Sequence, residues 1–376
     1  MIRQANSEGM PVEKACKIMS VSKHQYYHKP LGGTRGVKPS TTTRRILPDG
    51  IVEEVDNQEV LKKIIAVKEN DLKRYGYQKM TAELQFNGFI INSKKVYRLM
   101  GSQGILCAPR PKVVKEYVKF RIVQSTRPLE VIEMDIKHIK IIGTHHFDYI
   151  LTVIDTFKRT ALHWNVGLQM KQNQVKDAIE SVVINHLQPA GLKLSKLKVE
   201  LRSDNGSQFE AKKLMEFVKD NGIDQVFTHP YTPQENGHIE SFHSILTDAI
   251  GTKQFDSLHK LETWLKMFYS HYNSDRIHGS ICNLPPDVFD ILYDNNFIDV
   301  LKKDQKVKLK LKIPMYQVKS TLVMIKEKKT ITGKGSSSEP LSCKLNTSEG
   351  DLLLSNNFHA FQQIAPINST LALANN

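Results

Sequence analysis

Between residues 129 and 168 apolar residues alternate or cluster in three short blocks, LEVIEMDIKHIKII, FDYILTVIDTF and RTALHWNVGL, separated by turn signals at Gly143-Thr144 and Lys158-Arg159. Strand periodicity with such short connections predicts three successive antiparallel strands. Helical spacing takes over in NQVKDAIESVVINHLQ, a compact apolar strand follows in KVELRSD, and helix and strand alternate through AKKLMEFVKDNG and DQVFT before two more helical stretches. Strands followed by alternating helix and strand predict an α/β domain over 127–295, a mixed sheet with helices on its faces.

Upstream the period is helical. PVEKACKIMSVSKHQYYHK reads as a short helix, a turn at Ser20-Val21-Ser22 and a second short helix, which fits a helix-turn-helix piece over 1–30 or a plain helical hairpin. Residues 31–50 are rich in Gly, Pro, Thr and Ser and read as a linker. Over 51–110 the pattern is helical again: Met80, Ala82, Leu84 and Phe86 mark one amphipathic helix that Gly88 ends, and Ser93 is expected to cap another with Val96, Leu99 and Met100 inward. This is a second helix-turn-helix pattern. Lys94, Lys95 and Arg98 face outward on its second helix, either to touch DNA or as a solvated face. The basic run continues through Arg110, Lys112, Lys115, Lys119 and Arg121 into a linker over 111–126, which favours DNA. Lys79 joins Lys94, Lys95, Arg98, Lys112 and Lys115 as a candidate DNA contact. In the extension over 296–376, KVKLKLKI at 306–313 alternates strictly, predicting a strand with one basic face. That face suits phosphate contact and lysine protection of a sheet edge equally. Residues 333–350 read as a flexible stretch.

Composition narrows the partner. Lys and Arg number 53 against 39 Asp and Glu in 376 residues, a formal charge of +14, which calls for a polyanion. No run of about 18 apolar residues suggests a membrane span. The N-terminus, MIRQANSEGMPVEKAC, lacks the apolar core of a secretory signal, so a cytoplasmic, nucleoid-associated protein is expected and nucleic acid is the better partner. Cys16, Cys107, Cys282 and Cys343 lie too far apart for a zinc knuckle, and the His24/His28 spacing has no cysteine pair to complete four ligands. His138, His145, His146 and His163 show no metal-site spacing.

Acids at strand ends invite a search for metal-binding carboxylates. Asp135 sits between Met134 and Ile136 inside the first long strand, where an unpaired charge is costly without a cation or hydrogen bonds. Asp204 ends KVELRS before Asn205-Gly206, where open α/β sheets place functional groups. Glu240 falls on the helix after the next strand, with 35 residues between it and Asp204. Glu133 shares a strand face with Asp135 and is its nearest rival, while Asp155 reads as a turn or cap residue. In YTPQENGHIESFH, Thr232-Pro233-Gln234-Glu235 has capping-box form, which assigns Glu235 to structure. Glu240, His243, Ser244 and Thr247 share the helix stripe opposite the apolar one.

The spacing of Asp135, Asp204 and Glu240, with YGYQKMTAELQFNGFIINSKKVYRLMGSQGI, MDIKHI, SDNGSQF, ENGHIESFHS and HYNSDRIHGSICNLPPDVF, resembles the D,D(35)E pattern of RNase H-like transposases and retroviral integrases. Specifically, it resembles the OrfB integrase-core product of the bacterial insertion sequence three family, over about residues 10–290. The resemblance implies an RNase H-like core with a mixed five-stranded sheet, and a DDE transposase that cleaves at the element's ends and joins the 3′-OH to DNA. It implies Asp135, Asp204 and Glu240 as ligands of two Mg²⁺ or Mn²⁺ ions, with Asp135 shared between them. Implied partners are the terminal inverted repeats, target DNA, further copies of the chain, and an upstream-frame product fused or acting beside it. The joined ends of the family's element form a circular intermediate. Rival readings are an RNase H-like nuclease without strand transfer and an inactive DNA-binding remnant; the intact triad argues against the second. Asn273, Arg276 and His278 match the family's YN..R.H segment with Tyr272, and would contact DNA phosphate or support the site. Two departures stand out. The family's tryptophan ahead of the first aspartate is replaced by aliphatic residues near Val131, and Thr247 stands where a basic residue is usual.

Overall fold

The computed structural model of the chain describes residues 1–28, 39–47, 50–108, 123–140, 147–191, 198–229, 233–303 and 306–331. The predicted flexible stretch at 333–350 and most of the basic linker at 111–126 lie outside these. The described residues divide into two compact units, one up to Thr42 and the other from Thr43 onward.

The first unit holds three short helices, α1 (Ile2–Ser7), α2 (Val12–Ile18) and α3 (Lys23–Tyr27). The predicted turn falls between α2 and α3. Ser22 Oγ accepts from Gln25 N at 3.1 Å while the Gln25 side chain accepts from Ser22 N at 2.9 Å, a reciprocal cap that fixes where α3 starts.

The second unit opens with β1 (Thr42–Ile46), β2 (Val52–Asp56), α4 (Asn57–Glu69), α5 (Tyr77–Phe86), β3 (Phe89–Ile90) and α6 (Ser93–Ser102). A small sheet of order β2-β1-β3 thus occupies sequence read as linker and helix. Arg44 and Arg45 of β1 pair with Ile90 and Phe89, far along the chain, where local periodicity gives no warning. Gly88 makes the junction possible: its φ is +90°, and a Cβ there would meet Ile46 O at 2.3 Å. The two predicted helices are present as α5 and α6, but Asn92 rather than Ser93 caps α6, its side chain accepting from Lys95 N at 2.9 Å. Val60, Ile64, Met80, Leu84, Val96 and Met100 form the buried centre of this helical module.

The catalytic-type domain contains β4 (Val131–Lys140), β5 (Phe147–Asp155), β6 (Ala161–Gly167), α7 (Gln172–Val182, continued by a π-helical turn at Val183–Leu187), β7 (Val199–Ser203), α8 (Lys212–Asp220), β8 (Ile223–Phe227), α9 (Gly237–Ile250) and α10 (Leu258–Ser274). The five strands lie in the order β6-β5-β4-β7-β8, the first three antiparallel and the last two added in parallel. This is the RNase H-like arrangement. Strand alternation gives each face its own core. Ile132, Met134, Leu151, Val153, Val199 and Leu201 pack with Val175, Ile179, Leu214 and Val218 of α7 and α8, and Ile150 and Ile154 pack with Ile239, Phe242, Leu246 and Tyr269 of α9 and α10. The second face also carries Glu133, Asp135 and Arg202, so the polar residues lie under α9.

After the core come α11 (Pro286–Asp294), the antiparallel hairpin of β9 (Ile298–Lys303) and β10 (Lys306–Leu311), and α12 (Val318–Ile331). The predicted alternation holds: Lys308, Lys310 and Lys312 are exposed while Val307, Leu309 and Leu311 turn inward. The inward side joins a core with Phe157, Ile281, Leu284 and Phe289.

Candidate active site

The site is built on two neighbouring strands. Glu133 of β4 is in register with Arg202 of β7, and in a parallel pair registered residues share a face. Two residues further on come Asp135, still in β4, and Asp204, just past the end of β7, near enough for the charge of one to act on the other. Burial pushes the pKa of Asp204 up, the Gly206 N–H at 3.1 Å pulls it down, and the charge of Asp135 raises it again. A Cβ on Gly206 would stand 3.1 Å from Asp204 Oδ1, so the glycine lets the backbone close on the carboxylate.

Glu133 fastens the third element to this floor. Fully buried, its Oε2 accepts from Ile239 N at 2.7 Å in the first turn of α9, meeting donors that no helical carbonyl can reach. Burial raises its pKa to about 7, against the lowering effect of the Ile239 and His238 amides and the Arg159 and Arg202 charges. The rival carboxylate is therefore a helix cap supplied by a strand. Arg202, also buried, donates to Glu200 Oε1 at 2.6 Å and to the backbone oxygen of Glu235 at 2.7 Å, tying the turn before α9 to β7.

Thr232 lies outside the described residues; Pro233–Asn236 is a 3-10 turn, and α9 starts only at Gly237. The Glu235 carboxylate accepts from His229 N at 3.1 Å and stands 2.9 Å from His229 Nδ1, bonds that tie it into the structure. Asp155 is likewise structural. Its two oxygens accept from Phe157 N at 2.9 Å and Leu129 N at 3.2 Å.

With its first turn held over β4, α9 runs above Asp135. His243 Nδ1 lies 3.2 Å from Asp135 Oδ2, and its Nε2 is buried without a hydrogen-bond partner. Glu240 is three residues earlier on the same stripe and is exposed. The structure thus brings Asp135 and Asp204 together and sets Glu240 on the helix above them. Among the described residues no group of three or more His, Cys, Asp and Glu side chains is gathered tightly enough to hold a metal ion. The donor set still fits a hard divalent cation: all the donors are oxygens, and the charge of Asp135 acts unfavourably on Asp204, which a cation between them would relieve. Sequence reasoning placed His243 on the right stripe without its partner; the capping role of Glu133 had no local signal, because Ile239 is over a hundred residues away.

Of the YN..R.H residues, Asn273 is committed to structure. Its Oδ1 accepts from Ala161 N at 2.9 Å and its Nδ2 donates to Ala161 O at 3.0 Å, leaving its amide engaged with β6 rather than turned to DNA. His278 is buried edge-on against Tyr272, its pKa lowered to about 3 by burial and by the charges of Arg276, Lys79 and Arg159, so it too supports the fold. Arg276 donates to Leu72 O at 2.9 Å, and Ile277 N donates to the Tyr75 hydroxyl at 2.9 Å, locking this segment onto the helical module. Lys94 and Arg98 are exposed on α6 and Lys95 is half-buried; Lys112 and Lys115 lie outside the described residues.

The Integrase core domain family matches residues 125–233, a second Integrase core domain family matches 221–286, and the HTH-like domain family matches 55–113. The putative transposase InsK for insertion sequence element IS150 of Escherichia coli (strain K12) is 25% identical over 239 residues, covering 61% of this chain and 81% of its own. The transposase for insertion sequence element IS904 of Lactococcus lactis subsp. lactis (strain IL1403) is 23% identical over 252 residues, covering 63% and 96%. The chain belongs to the OrfB integrase-core transposases of the insertion sequence three family. Among solved structures, the catalytic core domain of BIV integrase aligns with this transposase at a TM-score of 0.32 and 23% identity, over 45% of this chain and 96% of that one. No helix of the transposase's described residues is long and apolar enough to cross a membrane.

Proposed function

We propose that this chain is a DNA transposase whose Asp135, Asp204 and Glu240 direct both the cutting of element ends and the joining of the freed 3′-OH to a second strand. The observation that carries this reading is the pair of like-charged carboxylates on adjacent strands, beneath a helix that presents Glu240. Two Mg²⁺ or Mn²⁺ ions held by these carboxylates would activate the attacking oxygen and neutralise charge on the leaving 3′ oxygen. Asp135 would serve both ions, with Asp204 and Glu240 each serving one. His243 holds the Asp135 carboxylate from the far side, and Glu133 holds the helix that carries Glu240.

In the first step a water oxygen forms a bond to phosphorus as the P–O3′ bond breaks, leaving a 3′-OH and a 5′-phosphate. In the second the 3′-OH attacks another phosphodiester, one P–O bond forming as one breaks, so no covalent protein intermediate and no external energy source is needed. Lys94, Lys95 and Arg98 on α6 supply phosphate contacts for the element's ends, and a multimer pairs two ends. A labelled 3′-OH end incubated with target DNA, the protein and Mg²⁺ tests the reading. Joined product is expected; hydrolysis with no joined product would make the protein a nuclease instead.

A further inference from the structure

Away from the proposed metal-binding carboxylates, one cleft gathers more cations than anions among the described residues. It has a volume of about 560 Å³ and lies between the helical module and the catalytic domain, lined by Arg74 and Lys79 from one side and Arg276 from the other. Arg276 spends Nη1 on Leu72 O, and its buried Nε has no hydrogen-bond partner. Lys79 Nζ stands 5.9 Å from the centroid of the Tyr75 ring, a weak cation–π contact. Burial and the neighbouring Arg276 charge together lower the pKa of Lys79 to about 8. Two carboxylates share the cleft. Asp71 is bound to Lys253 at 2.7 Å, and Asp248 is near enough to Arg276 to favour its charged form. Counting Lys253, four cations face two carboxylates.

Two like charges held side by side with part of their hydration removed, one with an orphaned donor, are unfavourable unless an anion completes the group. We propose that the Arg74–Lys79–Arg276 cleft binds a phosphodiester of the DNA backbone, clamping one strand where the helical module meets the catalytic domain. This rests on the transposase reading for the identity of the polyanion. A backbone phosphate suits the cleft better than a free small anion because the basic surface continues from it. Tyr77 at the cleft stacks edge-on against Tyr97 of α6 at 5.2 Å, beside the exposed Arg98. A strand following α6 is led into the cleft, and the same arginine that binds it is pinned to the module by Leu72 O.

The test uses the full chain and a fluorescent duplex of arbitrary sequence, with affinity measured by anisotropy between about 50 and 200 mM salt. Each lost phosphate contact lowers the slope of log affinity against log salt by about 0.9, roughly a 3.5-fold change across that range. Lys79→Gln and Arg74→Gln are each expected to remove about that much, and Lys79→Arg to restore it. Thermal midpoints confirm folding of each variant. Unchanged slope and affinity in the folded double variant would overturn the proposal. Inorganic phosphate that stabilises the wild type but not Lys79→Gln, with no effect of the substitution on duplex binding, would assign the cleft to a free anion and also overturn it. Slope loss in a protein that never cleaves or joins ends would leave the clamp standing and remove the transposase reading instead.

Discussion

Glu133 and Asp135 occupy the same strand face two residues apart, and the structure gives them different work that substitution can separate. Glu133→Ala removes the acceptor that meets Ile239 N at 2.7 Å and leaves the first-turn amides of α9 unpaired in a buried setting. The Ile239 and His238 amides, both facing Glu133, cost about 1–3 kcal/mol each when left unsatisfied, and relief from burying the carboxyl offsets part of the loss, so a net destabilisation of about 3 kcal/mol is expected. For a unit of this size that lowers the thermal midpoint by roughly 6–12 °C. Glu240 follows Ile239 directly, so fraying of this turn also misplaces Glu240, and strand joining should fall at least about tenfold, equivalent to about 1.4 kcal/mol in the barrier. Glu133→Gln keeps an acceptor oxygen and should stay within a few-fold of wild type in both readouts. Asp135→Asn should leave the midpoint nearly unchanged and abolish cleavage. Differential scanning and an end-cleavage assay with Mg²⁺ on the three variants decide the matter. A folded Glu133→Gln as inactive as Asp135→Asn would show that Glu133 takes part in the chemistry and that the cap assignment is wrong.

Three further outcomes are expected. Asp204→Asn and Glu240→Gln should each abolish cleavage while retaining duplex binding, and chelation of divalent cations should silence the wild type until Mg²⁺ or Mn²⁺ is returned; wild-type cleavage by either variant would mean a different carboxylate serves. Asn273→Ala strips both bonds to the buried Ala161 backbone and should cost about 2–4 kcal/mol with unchanged DNA affinity below its unfolding temperature; weaker binding at full stability would restore Asn273 to the DNA contacts. Burial raises the Asp155 pKa to about 6 against the effects of Lys158 and the Phe157 and Leu129 amides. The folded state then binds more protons than the unfolded chain between the ordinary carboxylate range and pH 6, so stability falls as pH rises through that window, by up to roughly 3 kcal/mol. Chemical denaturation of wild type and Asp155→Asn at pH 4 and pH 7 should show the wild type losing ground relative to the variant; a constant difference would refute the assignment.

The catalytic-type domain was readable because its signals are local. Alternation in β4, β5 and β6, the short turns between them and the helical spacing of α7 to α10 all lie within the segments they shape, and the spacing of Asp135, Asp204 and Glu240 survives in one dimension. What escaped depends on residues distant in sequence. Thr42–Ile46 became a strand because Phe89 and Ile90 fold back to pair with it. Glu235 has capping-box form, but nothing local announces its bonds to His229 or that the first turn of α9 is held by Glu133 from across the sheet. Asn273 carried a family motif without revealing that its amide is consumed by Ala161. Spacing identifies which residues recur together; only the fold shows which of their polar atoms are already occupied.

The hairpin and helix beyond residue 295 bear on how the chain meets water. Ile298, Val318 and Ile325 close over Phe157, Ile281, Leu284, Phe289 and Leu292 in one apolar cluster. A chain cut after α11 would keep every carboxylate discussed above and yet present that cluster to solvent as a contiguous oily face, the kind of surface that drives self-association. The hairpin and α12 are thus a shutter over the flank of the catalytic domain, and shortening the protein to its family-matching part would lift it from that apolar face.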